Sequence, residues 1–125
     1  MKIGTLAKKT GLTVHTLRYY ERIGLLPHAY RDPAGQRHYD ESILHRIDFL
    51  SKLKTTGMPL RDMLRYAELV SIGQSTQEQR RIILEEHREQ VRSHIAELQN
   101  CLIALDKKIS GDCNYLIHGK TGDSK

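Results

Sequence analysis

Arg18, Tyr19 and Tyr20 stand consecutively in the chain, shortly after His15 and Thr16. Their chemistry suits a polyanion. An arginine carries a rigid fork of donors that can pair with guanine or with a phosphate. Tyrosines can lie against sugar and phosphate and donate a hydroxyl to phosphate oxygens. Two further arginines, Arg31 and Arg37, flank the run Asp32-Pro33-Ala34-Gly35 and suit backbone phosphates. The chain also holds two cysteines, Cys101 and Cys113, and seven histidines. A thiolate metal site needs several converging ligands, and only His118 stands near Cys113 in sequence.

The elements that must carry these residues can be read from spacing. Ile3, Leu6, Ala7 and Thr10 recur at helical intervals, and Gly11 supplies a helix end. Thr13 is a good cap for a second helix with Val14, Leu17 and part of Tyr20 facing inward. Two short helices joined by a glycine turn make a helix-turn-helix. His15 and Thr16 then fall in the first turn of its second helix, where such proteins meet base edges. Gly24 stops that helix, and Leu25-Leu26-Pro27 leaves it extended.

Residues 28–39 read as a hairpin. Pro33 and Gly35 occupy positions that suit a type I turn, which makes this segment a wing beside the second helix. Asp40 is the expected cap of a third helix that buries Ile43, Leu44, Ile47, Leu50 and Leu53 and ends at Gly57. Pro59 opens a fourth, with Leu60, Met63, Leu64 and Ala67 inward, ending near Gly73.

Ser75-Thr76-Gln77-Glu78 has the spacing of a capping box and opens the longest element. Leu84, Val91, Ile95, Leu98, Leu102, Leu105 and Ile109 fall on one seam, and Arg88 takes its one missing position. No Gly or Pro interrupts 75–109. So narrow a seam wants a second helix, and a second copy of the chain is the expected partner. The organisation is therefore 1–73 for nucleic-acid binding, 75–109 for dimerisation, and 110–125 as a short tail and candidate effector region, with Gly111 breaking the helix. The expected fold is mainly α: a winged helix-turn-helix followed by a long dimerisation helix.

Charge divides in the same way. Residues 1–66 hold twelve Lys and Arg against six Asp and Glu; residues 67–125 hold eight against nine. The basic half is the one expected to meet a polyanion. No apolar run approaches the length of a membrane span, and Lys8 and Lys9 break any apolar leader, so a cytoplasmic protein is expected. Two cysteines do not make a disulfide framework or a zinc-finger spacing. Gly119-Lys120-Thr121 ends like a P-loop, but Asn114 stands where its first glycine belongs. His87 and His94 lie seven apart on a charged helix with Glu86 and Glu97, as on a solvated face. No nucleophile, base and orienting group can be placed together, so neither an enzyme nor a cofactor is expected.

The run Ile3-Gly4…Ala7…Thr10-Gly11-Leu12-Thr13-Val14…Thr16-Leu17-Arg18-Tyr19-Tyr20-Glu21…Gly24-Leu25-Leu26-Pro27 resembles the opening of the MerR family of bacterial transcription regulators. The wing followed by Arg37-His38-Tyr39-Asp40, the next two helices and the long helix match as well, over about residues 1–109. The resemblance implies a winged-helix homodimer joined by an antiparallel coiled coil. It implies double-stranded promoter DNA as partner, with RNA polymerase at the promoter and activation by DNA distortion when an effector binds. It adds Tyr39 to the DNA contacts, and Lys54 as a phosphate-facing base in some relatives. Metal-sensing relatives place cysteines in a loop after the dimer helix, so Cys101, Cys113 and His118 are low-ranked metal candidates, or thiols for a redox response. Two alternatives stand beside these: an architectural DNA-binding dimer with no effector, since only a short segment follows the dimer helix, and a purely protein-binding coiled-coil adaptor.

Overall fold

The computed structural model describes the backbone of residues 1–118 and the side chains of residues 1–111. The chain divides after His87 into two units. In the first, α1 (Ile3–Thr10) and α2 (Val14–Arg22) form the helix-turn-helix, and β1 (Tyr30–Arg31) pairs antiparallel with β2 (Arg37–His38). Then come α3 (Ile43–Thr55), α4 (Leu60–Ile72), one 3₁₀ turn at Gln74–Thr76, and α5 (Gln77–His118).

The turn between α1 and α2 follows from two residues. Gly11 takes a left-handed φ of 76° and its N–H closes onto the Ala7 carbonyl, a conformation that a side chain resists. Thr13 caps α2 by accepting the Thr16 N–H at 3.0 Å, as its position predicts. Leu6 and Leu17 then meet in one core with Leu25, Leu26, Ile43, Ile47, Leu50, Leu53, Met58, Met63 and Ala67. Burying a leucine contributes roughly 1.5–3 kcal/mol, so this cluster is what holds the helix-turn-helix against α3 and α4.

Four expectations are corrected. Asp40 does not cap α3: its Oδ1 accepts the Ser42 N–H at 2.9 Å in a turn that precedes the helix. Leu60 is 45% exposed rather than inward, because the first turn of α4 stands ahead of the core that Met63 and Ala67 reach. The expected capping box at Ser75 is replaced by the 3₁₀ turn, in which the buried Thr76 hydroxyl donates to Leu69 O at 2.6 Å. Finally, α5 passes through Gly111 and continues to His118. One glycine costs a helix about 1 kcal/mol relative to alanine, which a long hydrogen-bonded run on both sides can carry. At 42 residues α5 spans about 63 Å.

His87 is a further correction. It is buried, and its Nε2 lies 2.7 Å from the Thr56 hydroxyl at the end of α3. That side of α5 also brings Ile83 and Leu84 against the core of the first unit.

Candidate nucleic-acid interface

Three elements meet at the basic face: the start of α1, the outer side of α2, and the wing. Arg18 and Arg37 line one groove of about 290 Å³ with Lys2, Ile3, Gln36 and Tyr39. His15, Arg18, Arg31, Arg37 and Lys54 are exposed, and Thr16 and Tyr20 are half-buried. Tyr19 is exposed at the surface of α2, with its ring 6.1 Å from that of Tyr20. Lys54, at the end of α3, reaches the Tyr20 hydroxyl at 3.4 Å. Arg18 of α2 and Arg37 of the wing thus share one groove, and Lys54 stands beside Tyr20.

The wing is held by its own side chains. Gly35 N–H donates to Asp32 O at 2.8 Å, which closes the expected turn. Asp32 also accepts the Gln36 N–H at 2.9 Å and pairs with His38 Nε2 at 2.8 Å. The Gln36 amide is the main cause that holds its carboxyl below the ordinary range, against a smaller effect of burial and with help from His38. Arg31 donates to Gly35 O at 2.7 Å across the tip, and Tyr30 stacks on His38 at 5.9 Å.

Tyr39 departs from expectation. It is only 4% exposed, and its hydroxyl donates to Glu21 Oε1 at 2.8 Å instead of standing free for DNA. Burial is the main cause that raises this phenol, and the Glu21 carboxylate adds to it, to about 12. Its backbone is fastened as well, since Tyr39 N–H donates to Met1 O at 2.6 Å.

Glu21 is the residue that reading the sequence missed. It is buried on α2, and its Oε2 accepts the Ala29 N–H at 2.8 Å with His28 Nδ1 at 3.4 Å. Burial alone would raise its carboxyl. The Ala29 amide, the Tyr39 hydroxyl and His28 outweigh that and hold it below the ordinary value. One signal was available: Glu21 lies four residues beyond the buried Leu17, on the inner stripe. Arg22 was missed too, and its guanidinium lies 5.3 Å over the Tyr19 ring.

On α5, the seam residues Ile95, Leu98, Leu102, Leu105 and Ile109 are 48–61% exposed, and Val91 is half-buried. Cys101 is an exposed free thiol. Among the described residues no three His, Cys, Asp or Glu side chains stand close enough to hold a metal ion. The side chains of Cys113 and His118 lie outside the described residues. No helix among the described residues is long and apolar enough to cross a membrane.

A helix-turn-helix with a two-stranded wing and a basic outer face defines a class of DNA-binding transcription regulator. Residues 2–39 match the MerR family regulatory protein family, and residues 44–107 match the MerR DNA-binding family. The chain belongs to the MerR family of transcription regulators. It is 39% identical over 104 residues to an uncharacterised helix-turn-helix transcriptional regulator of Haemophilus influenzae, covering 83% of this chain and 77% of that one. A MerR family regulator from Listeria monocytogenes superposes with TM-score 0.84 at 31% identity, over 95% of this chain and 90% of that one. HiNmlR, a MerR family regulator lacking the sensor domain and crystallised with promoter DNA, superposes with TM-score 0.81 at 35% identity. That match covers 95% of this chain and 94% of the other.

Proposed function

We propose that this regulator works as a homodimer on a palindromic promoter site, in the cytoplasm and together with RNA polymerase. On that reading it acts by distorting the DNA between the polymerase elements when an unidentified effector binds, and by binding rather than catalysis. Each recognition helix presents Arg18, His15 and Thr16 to base edges and Tyr19 and Tyr20 to the backbone, with Lys54 of α3 meeting phosphate beside Tyr20. Arg31 and Arg37 hold phosphates beside it. Tyr39 belongs to the same face as a support for the wing.

The observation that carries the reading is the exposed apolar seam of α5 in a chain whose other unit bears a basic helix-turn-helix face. A leucine-rich stripe in water is stabilised by a second helix, and two-fold symmetry then places two recognition helices on two half-sites. Duplexes selected from a random pool, sedimented with the protein, test it. Two chains per bound duplex are expected, and one chain per duplex would contradict the reading.

The likeness to a regulator described as lacking the sensor domain favours a second reading, in which the dimer shapes DNA without an effector. A metal- or thiol-responsive dimer, using Cys101 with Cys113 or His118, remains the third. Transcription from a bound promoter with and without candidate inducers, thiol oxidant and zinc separates the three: output independent of all of them supports the second.

A further inference from the structure

We propose that, within the antiparallel pair the resemblance implies, α5 takes one register, centred between Ala96 and Glu97 and set by Arg88 against the partner's Asp106. This rests on the homodimer reading above.

The seam runs Leu84, Arg88, Val91, Ile95, Leu98, Leu102, Leu105, Ile109, in steps of four, three, four, three, four, three and four. That order of steps reads the same from either end. A reversed copy therefore sets every seam residue opposite another: Ile95 against the partner's Leu98, Val91 against the partner's Leu102, and Leu84 against the partner's Ile109. Arg88 falls opposite the partner's Leu105, with the partner's Asp106 about 1.5 Å further along the axis. In the heptad, Arg88 is a seam position and Asp106 flanks the seam. Reversal brings the two to the same edge of the interface.

Charge selects this arrangement. A parallel pair in register would place Arg88 against its own copy, two like charges within an apolar seam. A reversed pair slipped by one heptad would leave part of the seam uncovered and carry Arg88 away from the partner's Asp106. Within one chain, Arg88 has only a loose contact, 3.7 Å to Glu89, with both side chains more than half exposed. It is free to turn. Glu85 is the like charge nearest to the incoming aspartate, and Arg81 already holds it at 2.7 Å. Asp106 has no ion pair among the described residues, and the apolar seam residues around it are exposed.

The test uses the full chain. Arg88→Asp and Asp106→Arg are made singly and together, and dimer dissociation is measured by sedimentation equilibrium. Each single variant should dissociate at least about fivefold more readily, and the double variant should return most of the way to wild type. A double variant no tighter than either single one would overturn the pairing. In a second arm the native charges stay, Cys101→Ser and Cys113→Ser remove the thiols, and spin labels are placed at Glu97 or Glu86. Labels on Glu97 should lie within about 2 Å of each other along the axis, and those on Glu86 about 32 Å apart. Equally short distances at both sites would mean a parallel pair and overturn the register. A monomeric wild type would remove the dimer reading itself, and the register with it.

Discussion

The Tyr39 hydroxyl donates to Glu21 Oε1 at 2.8 Å, and this bond fastens the end of the wing to the recognition helix. The same carboxylate takes the Ala29 N–H at the wing's beginning. One buried charge thus holds both ends of the hairpin against α2. The angle between the wing arginines and Arg18 depends on it.

Replacing either partner should loosen that angle. Glu21→Ala leaves a buried hydroxyl and a half-buried amide without their acceptor, and should destabilise the protein by about 2–4 kcal/mol. Tyr39→Phe removes one bond to a charged group and should cost about 1.5–3 kcal/mol. Thermal unfolding measures both. At temperatures where Tyr39→Phe stays folded, its affinity for selected duplex DNA should still fall, because the wing is no longer fixed.

Stability should depend on pH through the same carboxylate. Glu21 titrates below its unfolded value, so its contribution is fully present above the unfolded value, about pH 4.3. It is lost as pH falls through the depressed folded value. Asp32 acts in the same direction. Glu21→Gln should therefore flatten the acid limb of a stability curve as pH falls below the unfolded carboxylate value, about 4.3. At the other end, Tyr39 is raised to about 12, so its share persists below about pH 10 and fades as pH rises toward 12. Tyrosinate absorbance during alkaline titration should lose its latest step in Tyr39→Phe.

The wing arginines and the recognition helix should separate by what they change. Arg31→Ala and Arg37→Ala should each weaken binding on all sequences alike and reduce the salt slope by about one unit. Arg18→Ala should also relax preference at one base position, at a cost of about 1–3 kcal/mol. Binding titrations across salt concentrations, on matched and altered duplexes, distinguish the two patterns.

Breaking the seam should leave the first unit intact. Leu98→Glu puts a carboxylate in the middle of the stripe, where it would meet the partner's Ile95, and should convert the protein to monomers. Amide hydrogen-exchange protection of core residues such as Leu17, Ile47 and Leu50 should change little, while affinity for a palindromic duplex falls by about two orders of magnitude, the avidity lost with the second half-site. A variant that stays dimeric would count against the seam as the interface.

Much of this was legible in the sequence, for reasons that differ by residue. Gly11, Thr13 and Gly35 act within a few positions of themselves, so local turn and capping chemistry reveals them. The core faces of α2 and α3 follow from a period of 3.6, which Leu17, Ile47 and Leu50 keep. Glu21 was not legible as a buried acceptor, because its partners lie 8 and 18 residues away and exist only after the wing folds back. Tyr39 joins the DNA contacts only through the family resemblance, and nothing local reveals that its hydroxyl is taken by Glu21. His87 was read as solvated for the same reason: its Thr56 partner stands 31 residues earlier. At Gly111 the local signal was real, and the length of the helix around it outweighed it.

Dimethyl sulfate footprinting on a selected duplex, which reads how open guanine N7 is in the major groove, tests the central claim most directly. Two protected half-sites related by a dyad are expected, with major-groove guanines at each shielded by wild type and released by Arg18→Ala. A single protected patch without a dyad, or one unchanged in Arg18→Ala, would contradict it.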